Sequence, residues 1–282
     1  MILIDGLFNS GLFEGGLFNG GLFKQLSAWF TTSLFSSGEQ GLIYDPSDFS
    51  TLFQDSAGTT PVTAVGQPVG KILDKSGNGN HASQLTSASR PVLRQDGSGY
   101  YYLELDGVDD SLSTASVAFT GTNNVVIFTG ERPTGGGLFP MIVSSSTAPD
   151  SNAGSFRADM TYSTSKYVLQ CRGVSTRSIK ETASGFSFPS TNVTYRKLQF
   201  GTVSSVAMRV NAVDQALTDL STTNPVVGPY GNYPIYIGVR GDGASSTRFA
   251  GRIYSLIVVG RVMTAQEIIS AETWINSKTG AY

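Results

Sequence analysis

The chain has 282 residues, of which 40% are hydrophobic and 14% charged, and its net charge is −2. That length allows one large domain or two small ones with a sizeable core, and a near-neutral balance without a basic block argues against a nucleic-acid partner. The lone cysteine, Cys171, excludes an intrachain disulfide, and no apolar run approaches the roughly 18 residues that suggest a membrane span.

The N-terminal stretch repeats Gly-Leu-Phe at residues 6, 11, 16 and 21. A five-residue period advances each Phe by about 140° on a helix and sends successive Phe to opposite faces of a strand, so a chain that bends at each Gly is the natural reading. Such an arm is too apolar for a solvated linker, and its exposed Leu-Phe pairs need cover. The expectation is a docking arm over residues 1–37, with Leu7, Phe8, Leu12, Phe13, Leu17, Phe18, Leu22 and Phe23 filling pockets on a partner or on sister copies. The alternative is a segment packed on its own domain. A basic n-region and an unbroken apolar core are both lacking, which argues against a signal peptide.

Apolar residues at 26, 29, 30 and 34 have helical spacing, and Ser36-Ser37-Gly38 reads as a break, which places a second unit at residues 38–282. Strands are predicted at 41–46, 69–74, 100–105, 123–130, 137–144, 155–162, 166–172, 193–201, 204–211, 234–240 and 247–259. Alternation puts Tyr101, Leu103 and Leu105 on one face of the third of these and Tyr102, Glu104 and Asp106 on the other. Close spacing, with Gly, Ser, Asn or Pro between the strands, argues an antiparallel sandwich rather than a parallel α/β sheet. Thr264-Ala265-Gln266-Glu267 is a capping box that opens one C-terminal helix, and Ile268, Ala271, Trp274 and Ile275 form its apolar stripe.

Three motifs then carry a resemblance: Asp74-Lys75-Ser76-Gly77-Asn78-Gly79-Asn80-His81-Ala82, Leu103-Glu104-Leu105-Asp106-Gly107-Val108-Asp109-Asp110, and Phe249-Ala250-Gly251-Arg252-Ile253-Tyr254 with the helix start that follows. In this order they resemble the concanavalin A-like (laminin-G-like) jelly-roll family. The resemblance implies an all-β jelly-roll sandwich of lectin-like type, in a family that often binds glycans, sometimes with calcium. Tyr254 and Ser255 stand where that family often carries acids, and Asn211-Ala212 where it often has Asn-Gly. A second block, Tyr44–Asp55 with Gly58–Val62 and Val65–Gly70, is similar to bacteriophage and prophage virion proteins with this jelly roll. What that implies is a non-enzymatic virion structural protein (head decoration, head fibre or tail fibre) located in the virion and anchored by the arm to capsid or tail proteins. A homo-oligomer, such as a trimer, goes with it, as does a host-surface glycan ligand, with no membrane insertion. The alternatives are a host-surface glycan-binding adhesin and a glycoside hydrolase.

Among candidate site residues, Glu104, Asp106 and Asp109 form E-x-D-x-x-D, which resembles the E-x-D-x-x-E of sandwich-fold glucanases with Asp109 one carbon shorter at the last position, and this resemblance implies Glu104 and Asp109 as the hydrolase candidates. Asp106, Asp109 and Asp110 are the calcium candidates, against the reading that they cap a turn; no other cofactor is expected. Tyr230, Asn232 and Tyr233 are the carbohydrate candidates, since aromatic faces stack on sugars and Asn can bond hydroxyls. The lone His81 cannot build a His-based zinc site and is expected to hold its own Gly-Asn turn. Arg240-Gly241-Asp242 spells an adhesion tripeptide inside a Gly-rich loop.

Overall fold

The computed structural model describes residues 33–201, 206–222 and 226–282. The Gly-Leu-Phe repeats, and with them the eight anchoring Leu and Phe residues, lie outside the described residues. The chain enters through β1 (Gly41–Tyr44) and three short strands, β2 (Leu52–Phe53), β3 (Lys71–Ile72) and β4 (Ala82–Ser83). It continues through β5 (Val92–Gln95), β6 (Tyr101–Asp106), β7 (Leu112–Ala118), β8 (Asn124–Gly136) and β9 (Met141–Ser145). Then come β10 (Ser155–Thr161), β11 (Lys166–Arg172), β12 (Arg177–Thr182), β13 (Asn192–Gln199), β14 (Ala207–Val210), β15 (Val213–Asp214) and β16 (Leu217–Thr222). β17 (Asn232–Ile237), β18 (Phe249–Val259) and helix α1 (Ala265–Thr279) complete it.

These strands form two antiparallel sheets, an all-β sandwich of jelly-roll type with one C-terminal helix. The first runs β15-β14-β13-β8-β18-β6-β5, and the second β16-β12-β11-β10-β9-β17-β7-β4-β3-β2. β18 has two neighbours along one edge: β6 pairs with Ala250–Ile253, and β1 with Leu256–Val259. Its other edge pairs with β8 from Gly136 to Val126.

Alternation on these strands sorts side chains between two cores. Val125 and Ile127 of β8 and Leu256 and Val258 of β18 face the second sheet, where they meet residues such as Phe156, Leu169 and Ile235. Val126, Phe128, Ile257 and Val259 face the opposite way, against Trp274 and Ile275 of α1 and against Leu34, Phe35 and Ile43. Helix α1 begins as its cap predicts, with the Thr264 hydroxyl accepting from the Glu267 N–H and the Glu267 carboxylate accepting from the Thr264 N–H. Gly280 ends it in the left-handed region at φ 57°.

β5, β7, β12 and β16 were not predicted. Ser and Thr fill Leu112–Ala118 and Leu217–Thr222, and charges interrupt Arg177–Thr182, so none shows the apolar alternation by which strands are read.

Further along β8 and its neighbour β13, the face toward the second sheet turns polar. Glu131, Arg196, Thr129 and Thr194 are all fully buried. Arg196 Nη2 lies 3.6 Å from Glu131 Oε1, while its Nη1 donates to Thr194 at 2.6 Å and Thr129 at 3.0 Å. Across the sandwich, the Tyr167 ring centroid sits 5.2 Å from the guanidinium. Burial pushes the Glu131 carboxyl up to about 7, against the pull of Arg196. A buried pair of this kind is costly to break from one side because the survivor keeps its desolvation cost. Arg196→Met is expected to lower unfolding free energy by about 3–5 kcal/mol in urea titration, and the double variant Glu131→Leu/Arg196→Met to recover most of that loss.

Candidate functional site

The site grows from the end of β6. Leu103 and Leu105 point into the main core, so Tyr102, Glu104 and Asp106 point outward, as their spacing predicts. Gly107 then takes φ +78°, and a Cβ there would lie 2.6 Å from that of Ala250, so only glycine lets the turn close against β18. Asp106 Oδ1 accepts from the backbone N–H of Val108 (2.8 Å), Asp109 (3.2 Å) and Asp110 (3.4 Å). Asp110 Oδ2 accepts from the Asp106 N–H, and Asp109 Oδ2 from the Ser89 hydroxyl at 2.8 Å. Burial works against the Asp106 charge, yet the three N–H bonds hold its carboxyl below the usual range. Asp110 goes the other way, pushed up to about 6 by burial first and by the Asp106 charge next.

The three aspartates do come together, with one ligand atom of each within 4.8 Å of the others. The bonds above use one oxygen of each carboxylate to build the turn, and what remains is well short of the about six to eight oxygens calcium takes. The cluster is accounted for as a turn cap, and no calcium chemistry is derived from it.

Beside this turn, the outward face of the first sheet holds a cleft of about 540 Å³. Its floor is built from the small or short side chains Val92, Ala250 and Gly251. Around it stand Arg90, Arg94 and Arg252 together with Glu104, Asp106 and Asp110, and Thr134 forms an exposed rim. Register makes this set: Val92 pairs with Glu104, Glu104 with Arg252, and Ala250 with Asp106. Arg94 Nε donates to Glu104 Oε2 at 2.8 Å in a half-exposed pair. The Arg252 guanidinium lies over Tyr102, 4.6 Å from the ring centroid. The sequence reading missed the arginines because Arg94 and Arg252 come from two separate strands and Arg90 from the connection before β5, with no local motif.

The hydrolase candidates, Glu104 and Asp109, are both engaged, one by Arg94 and the other by Ser89. The carbohydrate candidates are corrected. Tyr230 is 1% exposed, its ring stacked on Phe200 at 4.2 Å and its hydroxyl donating to the Leu198 carbonyl, so its face is unavailable to a sugar. Tyr233 donates to the Ala153 carbonyl, and its ring closes over Gly231. Asn232 is exposed and begins β17, paired with Ala118. Pro229-Tyr230 turns inward because the connection passes under Phe200 and Phe156, which leaves no platform. Arg240 of the adhesion tripeptide is bound to Asp242 and Asp150. As expected, the ring of His81 holds its turn, with Nδ1 accepting from the Asp74 N–H.

No family model and no curated protein sequence matches the chain. Solved structures do. An arabinofuranosidase complexed with arabinofuranosyl-α-1,2-xylobiose is similar at TM-score 0.54 and 14% identity, over 88% of this chain and 65% of that one. The CBM40 module of Ruminococcus gnavus IT-sialidase, bound to α2,3-sialyllactose, is similar at TM-score 0.41 and 13% identity, over 54% of this chain and 83% of that one. Trypanosoma rangeli sialidase in complex with the inhibitor DANA gives TM-score 0.47 and 13% identity, over 90% and 39%. At such identities the likeness to the arabinofuranosidase establishes the fold, and the two weaker overlaps carry no argument.

These findings correct the expected virion role. The solved structure that shares the fold is an arabinofuranosidase, and no match points to a phage particle. The block that suggested a virion protein is occupied in folding. Asp55 accepts from Gly58, Thr59 and Thr60 to close one turn, and Asp45 meets Lys278 of α1 at 3.0 Å. Those residues encode turn geometry, which is independent of where a protein is displayed. Among the described residues, no helix is long and apolar enough to cross a membrane.

The raised Asp110 carboxyl has a signed consequence. Its folded value, about 6, exceeds its ordinary value of 3.8, so its contribution to stability is complete below 3.8 and is lost as pH rises through 6. Asp110→Asn keeps an acceptor for the Asp106 N–H and removes the charge. Thermal melts are expected to show a higher midpoint for the variant above pH 6 and a flatter profile between pH 4 and 6.

Proposed function

We propose that this sandwich is a carbohydrate-binding module that holds a glycan in the cleft beside the Asp106–Asp110 turn without cleaving it. The observation that carries this is the lining: the guanidinium groups of Arg90, Arg94 and Arg252 and the carboxylates of Glu104, Asp106 and Asp110 gather around Val92, Ala250 and Gly251. Vicinal sugar hydroxyls both donate and accept, and such a ring of fixed partners can satisfy them in pairs. The volume, about 540 Å³, falls within the roughly 300–1,000 Å³ of small-ligand sites. The shared sandwich fold adds analogy only, because fold does not fix function.

Binding without hydrolysis is supported by how the acids are held. Glycosidases set two carboxyls across the scissile bond, one protonated and free to give its proton. Here Glu104 is paired with Arg94, Asp106 and Asp110 are bonded within the turn, and Asp109 accepts from the Ser89 hydroxyl.

Calorimetry of the full chain against a panel of neutral and acidic oligosaccharides tests the proposal. Binding is expected without release of reducing ends, and Thr134→Trp, which fills the cleft from its exposed rim, is expected to abolish it with an unchanged thermal midpoint. Reducing-end release that disappears in Glu104→Gln would make the protein a hydrolase instead.

A further inference from the structure

The outward face of the first sheet has a charge pattern that bears on which glycan it takes. Val92, Glu104, Arg252 and Arg132 stand side by side across β5, β6, β18 and β8. Their neighbours Leu93, Leu103 and Ile253 face the main core, so the four side chains share the outer face. Arg252 and Arg132 are therefore directly opposed on adjacent strands, an arrangement that costs stability when the charges are alike.

Among the described residues, neither guanidinium forms an ion pair with an acid, although the Asp96 charge acts on Arg252 from beyond Tyr254. The described hydrogen bonds of Arg252 and Arg132 go to neutral hydroxyls, Tyr254 at 3.4 Å and Thr191 at 3.5 Å. Glu104, the carboxylate beside Arg252, is taken by Arg94. Asp96 accepts from the Tyr254 hydroxyl at 3.1 Å. The Arg252 guanidinium also rests over the Tyr102 ring, 4.6 Å from its centroid, which limits where it can move before any ligand arrives.

We infer that Arg252 and Arg132 receive the anionic group of an acidic sugar, a carboxylate or a sulfate ester, whose hydroxyls reach toward the Asp106–Asp110 end of the cleft. This rests on the carbohydrate-binding reading above. A carboxylate or a sulfate ester offers the guanidinium fork two oxygens for parallel hydrogen bonds, and such charge-assisted bonds are stronger than neutral ones. The acidic turn suits the opposite end of the ligand, because a carboxylate accepts from hydroxyls and repels a second anion. Arg132 stands next to Arg252 at the edge of the cleft, so an acidic monosaccharide unit can set its charge on this pair and turn its hydroxyls toward the aspartates.

The experiment compares polygalacturonate with its methyl ester, which differ in the sugar carboxylate charge, and chondroitin sulfate with unsulfated chondroitin, using the full chain and calorimetry at low and high salt. Stronger binding of at least one acidic polymer than of its counterpart is expected, weakened by salt. The preferred pair tells carboxylate from sulfate. Arg252→Ala and Arg132→Ala are each expected to lose about tenfold or more in affinity for that polymer, the scale of a charged hydrogen bond. Arg252→Lys is expected to fall between, keeping charge without the fork. Arg132→Ala guards against misfolding as the cause, since its one described hydrogen bond is to Thr191, and its thermal midpoint is expected to match the parent. If each pair binds equally, or the arginine variants leave the preference intact while Thr134→Trp still blocks binding, the inference is overturned and the carbohydrate reading stands. Absence of binding to any glycan overturns both.

Discussion

The pairing of β8 with β18 is the constraint on which the rest of the molecule depends. Both strands are apolar on both faces where Val126–Phe128 meet Ile257–Val259, so one ladder seals the main core on one side and the helix core on the other. Further along, the same ladder changes character. Its inner face carries Glu131 toward Arg196, and its outer face carries Arg132 and Arg252. A slip of one residue would exchange the faces, turning Arg132 and Arg252 inward and Glu131 and Ile253 outward. Two β-bulges, between Ala250 and Gly251 and between Ile253 and Ser255, absorb the mismatch between the two regimes.

The motifs that made the chain look familiar are clasps. In the Asp74 turn, Oδ1 accepts from the Ile43 and Ser76 N–H groups and Oδ2 from the Asn80 N–H, while the side chains of Asn78 and Asn80 both donate to the Gly41 carbonyl. The turn thereby fastens β1 to the body of the fold. The Asp106 turn does the same work between β6 and β7. Acids, amides and glycines at such spacing are needed wherever a tight turn must satisfy its own backbone, which is why they report the fold well and the function poorly.

Legibility followed the range of the interaction. The outward set Tyr102, Glu104 and Asp106, the capping box at Thr264 and the role of His81 were all readable, because each rests on contacts a few residues apart or on a simple period. Tyr230 misled for the opposite reason. Its local setting, Pro-Tyr-Gly-Asn-Tyr-Pro, suits a sugar platform, yet stacking on Phe200 and an edge contact with Phe156, both distant in sequence, turn the ring inward. β7 stayed hidden because its Ser- and Thr-rich run gains strand character only from neighbours on both edges, β4 and β17.

By itself, the sequence determined the all-β class, the alternation of β6 and the capped closing helix, since backbone period and cap chemistry are properties of consecutive residues. Only the tertiary structure decided where charge gathers. Arg94, Arg132 and Arg252 belong to three strands, and no spacing along the chain relates them. Antiparallel pairing of β5, β6, β18 and β8 brings them to one face, and burial on the reverse of that sheet leaves them nowhere else to point.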